Sequence, residues 1–304
     1  MEDNLIIPRR VTIETIFGCN AHCTMCVIDQ PTTRTKGIMS QELFKKIVDE
    51  LVPYKDNLEM FDLFGLGEPL LDPHIFERVR YVKEKGFRNL AFSTNADLLN
   101  EEKQRKLLET GIDSVLFSVD GIDKETHERI RRGVSFERVV NNILGIIKMR
   151  DEGDYKTRFI VRSIIQDSNR DGWEQYRTFW KSRLSEERKD MLIKYNLHSW
   201  GGAVFSKDTV LGNSGRDPEI EKQPCHHFLE NLYILADGTL PLCHEDALCA
   251  QYAASNARDK TPIEAFNSPA RQWMRKIHLE GRKDIFSLCK ECTILYSEKE
   301  RIKS

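Results

Sequence analysis

The sequence predicts an α/β fold built on a parallel sheet, with a small module after it. Two observations carry this. Over the first two hundred residues, short β-rich runs alternate with amphipathic helical patterns, which marks parallel β-α units. Beyond Gly201-Gly202 the alternation stops, Gly, Ser, Asp and Pro accumulate, and five of the eight cysteines follow.

The first strand is read over 11–17 and runs into a cysteine-bearing loop. Ser40 is placed to cap a helix over 41–51, with Leu43, Phe44, Ile47, Val48 and Leu51 on one face. A second strand over 60–64 ends in Gly65-Leu66-Gly67-Glu68-Pro69, and a helix over 73–85 stops at Gly86. Strand three covers 90–93, followed by a helix over 101–110 that Gly111 ends. Strand four covers 114–119 and leads to a helix over 136–150. Strand five covers 159–165, and a helix around 173–180 leads to strand six near 191–197.

Six such units form either a doubly wound open sheet or an incomplete barrel. Both put ligand chemistry at the C-terminal strand ends. The cysteine loop, Glu68, Thr94-Asn95 and Asp120 each follow a strand and fall on that rim. We divide the chain into residues 1–200 and 201–304, with 201–224 as a linker. In the second part, 232–236 and 239–243 flank Asp237-Gly238 and read as a hairpin. A helix over 269–279 precedes Cys289-Lys290-Glu291-Cys292. This tail is too short to build much core alone, so a metal staple makes physical sense of it.

Composition excludes several classes. The chain has 304 residues, 40% hydrophobic and 9% aromatic, enough for a sizeable core. Lys+Arg at 46 nearly balance Asp+Glu at 48, leaving a net charge of −2 and no basic footprint for nucleic acid. No apolar run approaches the roughly 18 residues of a membrane span, and the start Met1-Glu2-Asp3-Asn4 lacks the character of a signal peptide. A cytoplasmic protein is expected, and in a reducing compartment eight cysteines are ligands or catalysts before they are disulfides.

Cys19, Cys23 and Cys26 form a C-x3-C-x2-C run. Three thiolates on one loop hold three irons of a [4Fe–4S] cluster and leave the fourth open to a small molecule. The same loop also suits zinc, with His22 or a distant residue as fourth ligand, or three buried structural cysteines. In the second group, Cys225, Cys243, Cys289 and Cys292 supply four thiolates for a closed [4Fe–4S] cluster or a structural zinc. Cys249 is left over, either a small buried residue or a catalytic thiol.

Taken together the motifs resemble the radical S-adenosylmethionine (SAM) enzymes. Cys19-x3-Cys23-x2-Cys26 is similar to their signature, with Met25 where an aromatic residue is usual. Gly67-Glu68-Pro69 resembles their Gly-Gly-Glu segment, Ser93-Thr94-Asn95 their Thr-Asn segment, and Ser118-Val119-Asp120-Gly121 the end of their fourth strand, with Arg131-Arg132-Gly133 beyond. The resemblance spans roughly residues 9–200. The tail resembles the auxiliary-cluster module called Twitch, related to the SPASM domain.

The resemblance implies a partial (β/α)6 TIM-like barrel with a small C-terminal hairpin-helix iron–sulfur module. It implies two [4Fe–4S] clusters, SAM, and a one-electron reductant such as flavodoxin or ferredoxin. SAM cleavage then yields a 5′-deoxyadenosyl radical that removes a hydrogen atom from substrate. Glu68 is expected to hold the SAM ammonium, the backbone of Gly65–Gly67 to approach the methionine group, and Asn95 to join the cofactor site. Ser118 is expected on ribose or methionine, and Arg131 on the carboxylate. The tail layout is similar to that of an aminocyclitol-oxidising member, so a carbohydrate-like substrate (sugar, aminoglycoside or cyclitol) is expected, with Arg162, His198, Trp200, Glu245 and Asp246 as pocket candidates. The favoured reaction is epimerisation with Cys249 as hydrogen-atom donor. Alcohol dehydrogenation, with the auxiliary cluster as electron acceptor and His198 or Asp246 as base, is the alternative. Peptide modification is the third.

Overall fold

The structure, a computed structural model, describes residues 5–204, 216–253, 255–299 and 302–303. Part of the expected 201–224 linker therefore lies outside the described residues. Six strands follow one another as expected: β1 (Arg10–Ile13), β2 (Met60–Asp62), β3 (Leu90–Thr94), β4 (Ser114–Ser118), β5 (Arg158–Ile165) and β6 (Met191–Asn196). All pair in parallel. A seventh, β7 (Asn231–Ile234), pairs in parallel with the other edge of β1, so the order is β7-β1-β2-β3-β4-β5-β6. The two-residue strand Ile302–Lys303 adds an antiparallel edge beside β6. The arc is a TIM-like partial barrel, and the cysteine-bearing segments that flank β7 form a smaller module at its end.

Helices cover the outer face of the sheet. α1 (Gln41–Leu51) buries the five apolar residues that its periodicity marks, and Ser40 Oγ accepts from Leu43 N at 3.2 Å. α2 (Ile75–Glu84), α3 (Glu101–Glu109), α4 (Lys124–Ile130), α5 (Phe136–Glu152) and α6 (Trp173–Lys181) follow. Asn100, Asp123 and Ser135 cap α3, α4 and α5 through their side-chain oxygens. Strand and helix faces meet in one contiguous core that includes Phe44, Phe61, Phe92, Phe117 and Phe159. None of the described helices is long and apolar enough to cross a membrane.

Two expectations need correction. The run 11–17 is not one strand. It stops at Ile13 because the Glu14 carboxylate turns inward, accepting from Leu66 N, Ala236 N and the Arg34 guanidinium. Ile16–Phe17 then pair antiparallel with Gly37–Ile38. The segments 232–236 and 239–243 do not form a two-armed hairpin either. The Asp237-Gly238 turn is there, with Gly238 at φ +89° and its N–H donating to Leu235 O at 2.8 Å. But Leu232, Tyr233 and Ile234 are all buried, so both faces need cover, and the main sheet supplies it. The return arm, Thr239–Leu240, pairs with Ser255–Asn256 instead. The helix expected over 269–279 is present as α7 (Pro269–Leu279).

One interior histidine makes stability depend on pH. His127 on α4 is fully buried, and its Nδ1 accepts from Asp120 N at 3.3 Å. Burial, and then Arg131, hold its pKa down at about 4. The unfolded chain therefore takes up this proton near pH 6.5 and the folded chain does not. The resulting stability is fully present above pH 6.5 and falls as the pH drops toward 4. At pH 5 the loss amounts to about 2 kcal/mol. Urea unfolding at pH 7 and pH 5 tests this, since His127→Gln should remove about that much of the pH-dependent difference.

Candidate active site and cysteine centres

The first cysteine loop is anchored on three sides. Glu68 N donates to Gly18 O at 2.9 Å, and a Cβ on Gly67 would collide with Ile16 O. The glycine is thus needed for the close approach of this segment to the backbone just before Cys19. His22-Cys23 pair antiparallel with Arg131-Arg132. The Trp200 indole N–H donates to Met25 O, between Cys23 and Cys26, at 3.0 Å.

Cys19, Cys23 and Cys26 are half-buried on the inner side of this loop. Donors are aimed at their sulfurs. Ala21 N lies 3.4 Å from Cys19 Sγ, Asn95 Nδ2 3.9 Å from the same atom, and Arg131 Nη1 3.7 Å from Cys23 Sγ. Burial pushes the Cys19 thiol up to about 12 and that of Cys26 to about 11. Thiols so placed would release their protons to solvent on binding a metal centre, whose cations supply the compensating charge.

The other rim residues expected from sequence gather around this loop. Glu68 is 2% exposed. Its Oε1 accepts from Thr94 Oγ1 at 2.7 Å and Leu70 N at 3.0 Å, and its Oε2 from Asn95 N at 2.8 Å. A carboxylate has about four acceptor positions, so one remains for a further donor. Burial raises its pKa, opposed by the Asn95 N–H. Ser118 is buried, and its Oγ accepts from Arg162 Nη2 at 2.9 Å. Arg131 Nε pairs with Asp120 Oδ2 at 2.7 Å. Its charge is thereby matched within the chain, which the expectation of a carboxylate partner from SAM did not include.

The second group comes together as expected. Cys225, Cys243, Cys289 and Cys292 line one cavity with Phe228, Glu245 and His278. Burial drives Cys243 and Cys292 well above the ordinary thiol range and Cys289 to about 12. Four thiols around a shared cavity suit a [4Fe–4S] cluster or a zinc ion by their donor set.

The pocket candidates part company. His198, Trp200 and Glu245 do meet. His198 Nδ1 lies 3.1 Å from Glu245 Oε2, His244 Nε2 lies 2.8 Å from Glu245 Oε1, and the His198 and Trp200 ring centroids are 5.1 Å apart. Burial alone would raise the Glu245 pKa, but the two imidazoles hold it far below the carboxylate range. Glu245 Oε2 is also 4.0 Å from Cys292 Sγ. The segment 199–202 reaches the second centre as well. Ser199 Oγ donates to Glu291 O at 2.7 Å, and a Cβ on Gly202 would sit 2.6 Å from Glu291 Cβ.

Asp246 is different: its oxygens accept from Leu242, Gln251 and Tyr252 N–H groups at 2.7–3.0 Å. Its carboxylate folds the 242–252 loop rather than presenting itself as a base. Cys249 is exposed on that loop. Thr32 Oγ1 donates to Leu248 O and Arg34 Nη1 to Ala247 O, tying the loop to the segment that follows the first cysteines. The sequence reading missed Glu14, Arg34 and His244. A carboxylate inside the apolar run of residues 11–17 was the available signal for Glu14.

A strand-end rim carrying three thiols, with four more thiols in a following module, suits two metal–thiolate centres on a partial barrel. Comparison with known proteins narrows this. Residues 13–151 match the Radical SAM superfamily, and residues 225–293 match an iron-sulfur cluster-binding domain, SPASM. The GTP 3′,8-cyclase of Chlorobaculum tepidum is 33% identical over 264 residues, covering 77% of this chain and 77% of that protein. The chain belongs to the radical SAM superfamily. Its cofactors are SAM and [4Fe–4S] clusters, the auxiliary one in the SPASM domain. The tungsten-containing aldehyde ferredoxin oxidoreductase cofactor-modifying protein of Pyrococcus furiosus is 33% identical over 162 residues, 52% of this chain and 44% of that protein. The chain spans less than half the length of several such curated relatives. The crystal structure of BtrN in complex with AdoMet and 2-DOIA shares the fold, with a TM-score of 0.64, 18% identity, and coverage of 95% of this chain and 94% of that one.

Proposed function

We propose that this enzyme removes a hydrogen atom from a carbohydrate-like substrate and inverts the carbon, with Cys249 returning a hydrogen atom from the opposite face. In this reading Cys19, Cys23 and Cys26 hold the SAM cluster, and Cys225, Cys243, Cys289 and Cys292 the auxiliary one. When bound and reduced, for instance by a flavodoxin or ferredoxin, the SAM cluster supplies the 5′-deoxyadenosyl radical. Glu68 accepts from the SAM ammonium through its remaining acceptor position. Ser118 faces the ribose or methionine, and the part of Arg131 not engaged by Asp120 faces the carboxylate. The observation that carries the inversion is Cys249 itself: a free, exposed thiol outside both groups, on a loop tied to the first cysteine segment. Its S–H bond breaks as the new C–H bond forms, and an electron from the reductant plus a proton from water restore the thiol. The BtrN complex with 2-DOIA, in the same fold, supports a carbohydrate-like substrate.

Cys249→Ala is the test. It should still form 5′-deoxyadenosine but lose the inverted product. In D2O the wild type should place one deuterium on the inverted carbon. Unchanged turnover in the variant would rule out the thiol as donor.

One observation favours a second reading, alcohol oxidation. Glu245 orients the His198 imidazole through Nδ1, which leaves Nε2 to take a proton. Under that reading His198→Gln lowers oxidised product while Cys249→Ala has no effect.

A further inference from the structure

Arg162 lies on β5 on the same strand face as Ile164, because alternate residues point the same way. Ile164 packs with Met25, Ile130 and Leu197 beneath the first cysteine loop. Arg162 therefore faces the interior of the arc, where its Nη2 reaches Ser118. Two other arginines associated with this interior are neutralised, Arg10 by Asp62 and Arg131 by Asp120. The other Asp120 oxygen accepts from Ile164 N at 2.6 Å. Arg162 has the Ser118 hydroxyl and no carboxylate partner among the described residues. Its Nε is shut off from solvent with no acceptor. Burial, and then the neighbouring Arg131, work against its charge more than Tyr195 and Asp120 favour it.

A mostly buried guanidinium with unused donors destabilises a fold unless a ligand provides the acceptor. Its planar fork matches the paired oxygens of a carboxylate or phosphate. We infer that Arg162, held in place by its hydrogen bond to Ser118 Oγ, forms a subsite for an acid group of the substrate. The inference rests on the carbohydrate-like reading above and narrows it to an acidic sugar or a sugar phosphate. SAM carries a carboxylate of the same chemistry, so the test must separate the two sources.

The probe is inorganic phosphate, measured by equilibrium dialysis on the cluster-loaded enzyme saturated with SAM. Wild type should bind it at one saturable site per chain. Arg162→Gln should weaken that binding by about 10- to 100-fold, the loss of charge-assisted hydrogen bonds. Arg162→Lys should fall between. The SAM dissociation constant should stay within about twofold of wild type in both variants, well under the roughly 1.4 kcal/mol of a tenfold change. Arg162→Met, which keeps the chain length and removes the charge, should melt at or above the wild-type temperature, where a merely structural arginine would leave it lower. It also replaces Arg162→Gln if that variant misfolds. Three results would overturn the proposal: no saturable phosphate site in wild type, equal phosphate binding without the guanidinium, or a tenfold loss of SAM affinity that assigns Arg162 to SAM. None of these readouts needs turnover, so they stand apart from the Cys249 result.

Discussion

Replacing Cys26 by alanine is expected to abolish 5′-deoxyadenosine formation, by roughly a thousandfold or more, which corresponds to at least about 4 kcal/mol of barrier. The physical reason lies in the loop. Three thiols are half-buried beside Arg131, Asn95 and the Ala21 N–H, all directed at sulfur. Two remaining thiolates cannot hold three irons, so the site for SAM is lost with the cluster. Iron should fall from about eight to about four atoms per chain, since each [4Fe–4S] cluster contributes four. Quantifying 5′-deoxyadenosine after reduction with dithionite, alongside iron, checks both expectations. Cleavage at wild-type rate in this variant would mean that Cys26 is not a ligand.

The largest effect on stability is expected from Glu14→Gln. Glu14 is fully buried, and its carboxylate holds Arg34, Leu66 N and Ala236 N together. Arg34 in turn stacks on Phe17 and donates to Ala247 O. One ion pair therefore ties the end of β1, the turn before Gly67-Glu68, the turn after β7 and the loop bearing Cys249. Removing the charge leaves a buried guanidinium unmatched, a loss of about 3–5 kcal/mol. Urea unfolding should report it. The double variant Glu14→Gln/Arg34→Met should recover part of the loss, because the uncompensated cation is then gone. A single variant as stable as wild type would show that the pair contributes nothing.

Much of the barrel was legible in the sequence because its signals are local. Helical periodicity and an N-cap serine placed α1 to the residue, and Gly86 and Gly111 marked the ends of two helices. The cysteine spacings sorted the thiols into two groups, and the four of the second share one cavity. What escaped was long-range. β7 looked like a hairpin arm because its neighbour is an Asp-Gly turn, and only the free edge of β1, some 220 residues earlier, makes it a barrel strand. Glu14 broke the first strand for the same kind of reason, through partners at 34, 66 and 236. Asp246 read as a pocket acid, but its neighbours' N–H groups consume it. The His198–Glu245–His244 group was only half visible, since His244 sits unremarked between Cys243 and Glu245.

The central claim is a division of labour between two sets of cysteines, three holding the cluster that cleaves SAM and four holding another. The most direct measurement is iron content and SAM cleavage together in the double variant Cys289→Ala/Cys292→Ala. The expected result is about four irons per chain, with 5′-deoxyadenosine still formed on reduction and product formation from substrate lost. Retention of about eight irons, or loss of SAM cleavage while four irons remain, would contradict it.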